Sequence, residues 1–347
     1  MIPPKTARSN LLVILLLSLS TAALVPATAL APTAALAQEH LSTVEFYSPA
    51  VERTMKYNIL LPAGYDGSDE RYPVLYLLHG LTQNYTAWSR LGAPAYAGLF
   101  SDLIVVMPDG GNSWYVNYAE SAGGQRNDWE DHIIEDVIGH VDENFRTISR
   151  REGRAITGLS MGGYGSLTLG LHHPEMFISI GSTSGAISYG RDAARRLRGE
   201  ARSRGDQRRR TGPQRSPEEQ AAREERRRTP DPRIGIEGFS SQIERTPEGR
   251  PFLTAEDADA YDPFELIHQV PRERLPHIYL DSGTEDRLIQ PARELAQVLF
   301  EKDIPFDFMQ MPGAHNSEYW IQSVGHIMSI QYEVMRRALG ERPSRER

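Results

Sequence analysis

The stretch Arg154-Ala155-Ile156-Thr157-Gly158-Leu159-Ser160-Met161-Gly162-Gly163-Tyr164-Gly165 decides the fold of this 347-residue chain. A short apolar run leads into Gly-x-Ser-x-Gly, and helix-compatible spacing follows over Tyr164–His172. This order predicts a strand, a sharp turn and a helix. At such a turn the serine takes a strained backbone conformation that raises its hydroxyl above the sheet, while the glycines avoid collisions that a Cβ would cause. Ser160 is therefore the predicted nucleophile; the alternative is a turn that is merely rich in glycine.

Composition excludes several classes of protein. The chain has no cysteine, which rules out disulfides, thiolate metal sites and cysteine nucleophiles. Its net charge of −8 argues against nucleic acid as a partner. The 39% hydrophobic and 24% charged residues are typical of a globular protein, and the length allows one large domain.

Residues 1–37 have the features of a secretory signal peptide. Lys5 and Arg8 precede the apolar run Leu11–Leu19, and Ala35-Leu36-Ala37 forms an Ala-x-Ala cleavage site. An uncleaved membrane anchor is the alternative, but prolines interrupt the apolar stretch before it reaches the ~20 residues that a spanning helix needs. We therefore expect cleavage near Ala37, with Ala31 as an alternative site, and a secreted or periplasmic protein that is not inserted in a membrane.

Hydrophobic patterning predicts an α/β fold, in which helices flank a mostly parallel central sheet, and the Gly-x-Ser-x-Gly elbow makes this an α/β-hydrolase fold. Continuous apolar runs indicate strands buried on both faces, and amphipathic stretches indicate helices. A single domain, 38–340, is predicted before a short tail, 341–347. The predicted strands are Val44–Tyr47, Thr54–Leu61, Val74–Leu78, Leu103–Met107, Ala155–Thr157, Phe177–Thr183, His277–Ser282 and Phe306–Met311, and the predicted helices include Trp129–Phe145, Pro291–Glu301 and a last one from Ser317.

An oxyanion hole is predicted beside Ser160. The strand Val74–Leu78 ends in His79-Gly80-Leu81, and in hydrolases with a nucleophile elbow the loop after this strand supplies one backbone N–H. The amide that follows the nucleophile supplies the second. Leu81 and Met161 are therefore the predicted donors, although His79-Gly80 alone is equally compatible with a simple strand end.

The predicted base and acid follow later in the chain. His315 stands in the loop after Phe306–Met311, where a base is needed. The strand His277–Ser282 runs into a turn with two acids, of which Asp286 is preferred and Glu285 is the alternative. The order serine, acid, histidine is that of α/β hydrolases. The imidazole takes the serine proton, and the carboxylate orients the imidazole.

Aromatic residues near the predicted strand ends are candidates for a substrate pocket, with packing as the alternative. Trp114 and Tyr115 follow the strand Leu103–Met107, Trp320 follows His315, and Trp88 follows the predicted oxyanion loop. The acids and histidines of Trp129–Phe145 are interpreted as a solvated helix face. No metal and no cofactor are indicated.

The residues between 184 and 274 are predicted to form a cap before the acid-bearing strand. Within them, 191–228 contains 14 arginines and 7 acids with almost no apolar residues, so we expect a charged, partly helical or disordered insertion without a core. A tether to an anionic surface or to nucleic acid is the alternative.

Together these motifs resemble the esterase D or "putative esterase" family. The resemblance rests on Leu77–Leu81 followed by Trp88, Pro108-Asp109-Gly110-Gly111, the Ser160 motif, Gly283–Asp286 and Gly313-x-His315. It implies the same triad and oxyanion amides. Its members include feruloyl and acetyl esterases, tributyrin esterases, S-formylglutathione hydrolase and mycolyltransferases.

The expected function is a secreted serine carboxylesterase acting on a small-molecule or glycan-linked ester. Two alternative functions are also compatible with the sequence. One is acyl transfer to a sugar hydroxyl, as in the mycolyltransferases, and the other is a noncatalytic glycan-binding or surface protein on a hydrolase scaffold. The second alternative is disfavoured because a pure binder does not need residues of all three triad types.

Overall fold

A computed structural model describes residues 41–200 and 247–340. The predicted signal peptide, most of the Arg-rich stretch 191–228 and the tail 341–347 lie outside the described residues.

The predicted mostly parallel sheet is confirmed as an eight-stranded sheet with the order β1-β2-β4-β3-β6-β7-β9-β10. The first two strands pair antiparallel with each other, and β2 pairs antiparallel with β4, whereas the remaining neighbours are parallel. A separate two-stranded ribbon is formed by β5 and β8. The strands are β1 Leu41–Ser48, β2 Arg53–Leu60, β3 Val74–Leu78, β4 Ile104–Pro108, β5 Glu120–Ser121, β6 Arg154–Leu159, β7 Ser179–Thr183, β8 Gly249–Arg250, β9 His277–Gly283 and β10 Phe306–Met311.

The central strands are buried on both faces because helices cover the sheet on each side. Every residue of β3, β4, β6 and β7 is buried. Two apolar cores result, one on each face of the sheet. The carboxyl ends of the parallel strands therefore meet at one edge, where the loops after β3, β4, β6, β9 and β10 converge.

Helices connect the strands and pack on both faces. They are α1 Ala87–Arg90, α2 Ala93–Ala97, α3 Trp129–Asp131, α4 Ile138–Asn144, α5 Met161–His172, α6 Tyr189–Leu197, α7 Ala255–Asp259, α8 Pro263–Gln269, α9 Ile289–Glu301 and α10 Ser317–Ala338, with a π-helical segment over His132–Val137. No helix in the described ranges has the length and apolar character required to span a bilayer.

The predicted helix Trp129–Phe145 is helical over most of its length, but its polar residues are not all solvated. Glu130 and His132 are buried, contrary to the expected solvent face. The π-helical turn brings the ring of His132 within hydrogen-bonding distance of Ser48 Oγ (2.8 Å) and of the Asp109 carbonyl oxygen (2.9 Å). These contacts satisfy the buried ring, because a polar group removed from water needs a partner.

The first residues of the Arg-rich stretch are helical, in line with a partly helical insertion, but contrary to expectation they also contribute to the core. They belong to α6, which packs against α7 and buries Ala193 and Ala194. The Arg191 guanidinium lies 4.0 Å from the ring centre of Phe264 and 2.8 Å from Glu294. Alanines on one helix face and the aliphatic part of an arginine therefore supply the buried contacts that composition did not reveal.

Candidate active site

Ser160 occupies the sharp turn between β6 and α5. Its φ of 53° and ψ of −112° lie outside the regions that ordinary residues favour, as expected for a nucleophile elbow. A Cβ on Gly158 would lie 2.2 Å from the Gly162 carbonyl oxygen, and a Cβ on Gly162 would lie 2.4 Å from the Leu78 carbonyl oxygen. Both glycines are therefore required by backbone contact, as predicted.

The structure brings the predicted base and acid to Ser160. His315 Nε2 lies 3.0 Å from Ser160 Oγ, and His315 Nδ1 lies 2.9 Å from Asp286 Oδ2. The three residues come from the loops after β6, β10 and β9. The histidine side chain keeps 19% of its surface exposed, whereas the Asp286 side chain is fully buried. This arrangement can move a proton from a serine hydroxyl to an imidazole whose other nitrogen is held by a carboxylate.

Asp286 and not Glu285 faces the histidine. Burial alone would raise the pKa of Asp286, but the hydrogen bonds from His315 and from the Leu288 N–H outweigh burial, so its pKa lies below the ordinary 3.8. Glu285 is exposed and accepts the Gly313 N–H, which lowers its pKa. Glu285 therefore holds the backbone of the histidine loop, while Asp286 holds the ring.

The two predicted oxyanion amides belong to chain segments that meet beside Ser160. A Cβ on Gly80 would lie 3.3 Å from Ser160 Cβ, which places the loop after β3 directly beside the nucleophile. Met161 is the first residue of α5, where N–H groups are not used within the helix and the helix dipole is positive. The N–H groups of Leu81 and Met161 have no hydrogen-bond acceptor within residues 41–200 and 247–340. Both can therefore bind an oxyanion.

Side chains outside the triad hold the loop that carries Leu81. Gln83 Oε1 accepts the Gly80 N–H at 2.8 Å, and Asn112 Oδ1 accepts the Thr82 N–H at 2.6 Å. Thr82 has a φ of 67°, which these bonds help to maintain. Sequence reasoning missed both side chains; the short spacing from Gly80 to Gln83 was the available signal.

Three of the four predicted pocket residues, Trp88, Tyr115 and Trp320, are core residues instead. Trp88 is 1% exposed and donates its indole N–H to the Leu78 carbonyl oxygen at 2.9 Å. Tyr115 is fully buried and donates its hydroxyl to the His79 carbonyl oxygen at 2.9 Å. These positions correct the pocket prediction, since neither the Trp88 ring nor the Tyr115 ring is accessible to a substrate.

Of the other two predicted pocket residues, Trp114 is partly buried, whereas Trp320 belongs to the core. The Trp114 ring is half-buried and stacks at 3.6 Å on Tyr189, at the start of α6, and it also contacts Tyr164 in the first turn of α5. The Trp320 ring meets the His315 ring edge-on at 5.2 Å but is 6% exposed. Trp114 is thus the better candidate for contact with substrate, and Trp320 restrains the histidine.

A buried carboxyl group beneath the triad was not predicted. Asp281, in β9, accepts hydrogen bonds from Tyr279 at 2.7 Å, from Tyr319 at 3.0 Å and from Thr183. Burial raises the pKa of Asp281 to about 6, although the three hydroxyl groups oppose this shift. Tyr319 belongs to the first turn of α10, so the cluster fixes the helix that follows His315.

A second histidine–carboxylate cluster lies at the far end of α5. Glu130 Oε1 is 2.9 Å from His172 Nδ1 and 2.8 Å from His173 Nε2, and Glu130 Oε2 accepts the Tyr261 hydroxyl at 2.6 Å. Sequence reasoning did not connect these residues, because they are distant along the chain. Within the described ranges, no group of three or more histidines and carboxylates is arranged to hold a metal ion.

Comparison with known proteins agrees with this geometry. The family model described as "Putative esterase" matches residues 48–328, well over half of the chain. An esterase of Mycobacterium tuberculosis is 40% identical over 151 residues, which is 42% of this chain and 32% of the relative. An endo-1,4-beta-xylanase/feruloyl esterase of Xylanibacter ruminicola is 34% identical over 42% of this chain and 22% of its own length.

A third relative is the diacylglycerol acyltransferase/mycolyltransferase Ag85A of Mycobacterium leprae, which is 32% identical over 40% of this chain and 42% of the relative. This chain therefore spans less than half the length of the curated relatives that it matches.

Solved structures share the fold at low sequence identity. The fluorophosphonate-binding serine hydrolase F of Staphylococcus aureus superposes with a TM-score of 0.59 and 21% identity, over 84% of this chain and 97% of that one. An S-formylglutathione hydrolase of Agrobacterium tumefaciens gives a TM-score of 0.60 and 16% identity, over 85% and 95%. With the extent of the family match, these findings show that the chain belongs to the esterase family described as "Putative esterase" and has an α/β-hydrolase fold.

Proposed function

We propose that this chain is a secreted serine carboxylesterase that hydrolyses a small-molecule or glycan-linked carboxylic ester through an acyl-enzyme on Ser160. The observation that carries the proposal is the hydrogen-bonded series from Ser160 Oγ through His315 to the buried Asp286, with distances of 3.0 and 2.9 Å. The feruloyl esterase relative supports an ester substrate.

In the first half-reaction, Ser160 Oγ attacks the ester carbonyl carbon while His315 Nε2 takes the hydroxyl proton. The carbonyl oxygen becomes an oxyanion, which accepts the N–H groups of Leu81 and Met161. Each such donor contributes roughly 3 kcal/mol to lowering the barrier. The C–O bond to the leaving alcohol then breaks, and the imidazolium returns its proton to that alcohol.

In the second half-reaction, water replaces the alcohol. His315 takes one proton from the water as its oxygen attacks the acyl carbon, and the same oxyanion donors act again. The bond to Ser160 Oγ breaks, Ser160 regains its proton from His315, and the carboxylic acid leaves. Asp286 stays ionised throughout, because the pKa of its carboxyl lies below the ordinary value.

Hydrolysis of p-nitrophenyl acetate and butyrate by the wild type and by Ser160→Ala tests the proposal. We expect the substitution to lower kcat by about 10⁴-fold or more. Ser68→Ala, which removes a hydroxyl from a surface turn, is the matched control and should retain full activity. A fluorophosphonate should label the wild type at Ser160 and leave Ser160→Ala unlabelled.

Two outcomes would redirect the proposal. Equal rates for the wild type and Ser160→Ala would remove Ser160 as the nucleophile and favour the binding-protein alternative. Preferential transfer of the acyl group to an added sugar, with little free acid formed, would favour the acyltransferase alternative.

The proposal of export rests on residues 1–37, which have the composition of a signal peptide. N-terminal sequencing of the protein recovered from the periplasm or medium of an expressing bacterium should begin at Gln38. Recovery of an intact chain from the cytoplasm alone would contradict export.

A further inference from the structure

The side chain of His79 makes two hydrogen bonds that the proposed mechanism does not use. His79 immediately precedes Gly80 and Leu81 and is 1% exposed. Its Nε2 lies 2.9 Å from the Gly110 backbone nitrogen, in the loop after β4. Its Nδ1 lies 2.8 Å from the Gly80 carbonyl oxygen. Both ring nitrogens are therefore engaged with backbone groups of the loops beside Ser160.

These partners determine where the imidazole carries its proton. A backbone N–H can only donate, so the bond from Gly110 requires Nε2 to be unprotonated. A carbonyl oxygen can only accept, so the bond to Gly80 requires a proton on Nδ1. Asp109 Oδ1, at 3.4 Å from Nε2, is a more distant neighbour and already accepts the Gly111 N–H at 3.0 Å. The ring is thus the neutral tautomer protonated at Nδ1.

The bond to Gly80 acts on the predicted oxyanion donor. The Gly80 carbonyl and the Leu81 N–H belong to one planar trans peptide unit, in which the C=O and N–H bonds point in opposite directions. The Gln83 N–H also donates to this oxygen, at 3.2 Å. Since two donors hold the Gly80 oxygen on one side, the Leu81 N–H is held on the other side and has no acceptor among the described residues.

The ring of His79 is itself held by the loop after β4. Besides the Gly110 N–H, the Tyr115 hydroxyl donates to the His79 carbonyl oxygen at 2.9 Å. Tyr115 is fully buried and packs so closely that a Cβ on Gly110 would lie 2.1 Å from its ring. The imidazole and the Tyr115 hydroxyl therefore connect the β4 loop to the oxyanion loop, in addition to the bond between Asn112 and Thr82.

We propose that His79 is a positioning residue: its Nδ1–H holds the Gly80–Leu81 peptide plane so that the Leu81 N–H points at the oxyanion. This inference rests on the proposed function, because the oxyanion forms on the Ser160 adduct. His79 itself touches neither substrate nor reacting atoms. Its loss should therefore weaken the transition state and leave ground-state binding of the ester unchanged.

Two substitutions separate the two hydrogen bonds of His79. His79→Asn keeps an N–H donor near the Nδ1 position but has no acceptor at the Nε2 position. His79→Gln keeps an oxygen acceptor near the Nε2 position but has no donor for Gly80. Hydrolysis of p-nitrophenyl acetate should lose about 10- to 10³-fold in kcat in His79→Gln, since loss of one oxyanion donor has an effect of this order, with KM nearly unchanged. The loss in His79→Asn should be clearly smaller.

A second readout distinguishes positioning from general destabilisation. A trifluoromethyl ketone forms a tetrahedral Ser160 adduct with an oxyanion, so its affinity should fall in His79→Gln by about the same factor as kcat. Both variants shrink a buried side chain and should show lowered melting temperatures. The proposal would be overturned if His79→Asn lost as much kcat as His79→Gln or more. It would also be overturned if the affinity of His79→Gln for the ketone were unchanged.

The tautomer can be measured without any activity. Nitrogen-15 NMR of histidine-labelled Ser160→Ala should show His79 protonated at Nδ1 only; protonation at Nε2 would also overturn the proposal. If the wild type proved inactive while His79 was protonated at Nδ1, the proposed function would be contradicted but the hydrogen bonding of His79 would stand. Failure of the proposed function and failure of the His79 proposal are therefore distinguishable.

Discussion

Helix α5 has a histidine–carboxylate cluster at each end, and the two clusters have different chemistry. At its start, His315 lies between Ser160 and Asp286. At its end, His172 lies between Glu130 and the backbone. The second cluster also includes His173 and Tyr261. Both clusters pair an imidazole with a buried carboxylate, but the partner of the other ring nitrogen differs.

That partner determines what each histidine can do. The Nε2 of His315 faces a serine hydroxyl, which can donate a proton, so this nitrogen can act as a base. Both nitrogens of His172 face groups that only accept: Glu130 Oε1 at 2.9 Å and the Ala260 carbonyl oxygen at 2.7 Å. His172 is therefore an imidazolium that holds structure and has no free nitrogen for catalysis.

The electrostatics of the second cluster agree with this assignment. Burial opposes a charge on His172, but its hydrogen bonds to Glu130 and Ala260 outweigh burial, and the pKa of His172 is raised above 6.5. Burial likewise opposes the charge on Glu130, yet the hydrogen bonds from His172 and His173 lower its pKa to about 2. The comparison shows that a histidine beside a carboxylate marks a catalytic site only if its other nitrogen meets a group that can give up a proton.

The largest expected effect comes from replacing the two histidines in turn. His315→Gln removes the base and should lower kcat for p-nitrophenyl acetate by about 10⁴- to 10⁶-fold. His172→Gln should leave kcat nearly unchanged and lower the free energy of unfolding by about 1–3 kcal/mol, because it leaves buried hydrogen-bonding groups without partners. Steady-state kinetics and chemical denaturation measure the two effects. Comparable kcat losses in both variants would remove the distinction between the clusters.

A smaller catalytic effect is expected from the carboxylates beside His315. Asp286→Asn should lower kcat by about 10⁴-fold, since an amide in this position favours the wrong imidazole tautomer. Glu285→Gln is the matched control and should lower kcat far less, because Glu285 contacts the Gly313 backbone and not the His315 ring. A larger loss in the control would transfer the role of the acid to Glu285.

The smallest effect is the pH dependence of stability at the second cluster. Because the pKa of His172 is raised on folding, its stabilisation is complete below the unfolded value of 6.5 and is lost as the pH rises through the folded value. Glu130, with a pKa lowered from 4.5 to about 2, stabilises above 4.5 and loses this effect as the pH falls towards 2.

Thermal unfolding of the wild type and His172→Gln over a pH series measures this effect. The difference between the two proteins should be largest between about pH 4.5 and 6.5 and should shrink at higher pH. A difference that grows with pH would show that His172 is neutral in the folded protein.

Much of the fold and the members of the candidate triad could be predicted from local sequence. Alternation predicted the first two strands and apolar runs predicted the others, each to within a few residues. The central strands are buried on both faces and so leave an uninterrupted hydrophobic signal. The triad could be predicted from chain order, since the α/β-hydrolase order is matched by Ser160, Asp286 and His315. Each of these residues follows a strand, and parallel strands bring their carboxyl ends together.

The roles of single side chains within loops were less accessible. Trp88 and Tyr115 were predicted as pocket residues, but both are buried, since an aromatic residue in a loop can turn towards solvent or into the core with the same local sequence. Glu130 was predicted to be solvated, but distant residues of α5 and of the segment before α8 cover it.

The sequence by itself therefore determined the positions of the strands, the strained serine turn and the set of residues available for catalysis, because these depend on local pattern and on the geometry of parallel sheets. Only the tertiary structure decided the partners of each histidine: His315 meets the Ser160 hydroxyl and a carboxylate, whereas His172 meets two acceptors. A ring nitrogen becomes a donor or an acceptor according to its partner, and in this chain the partners come from segments far apart in sequence.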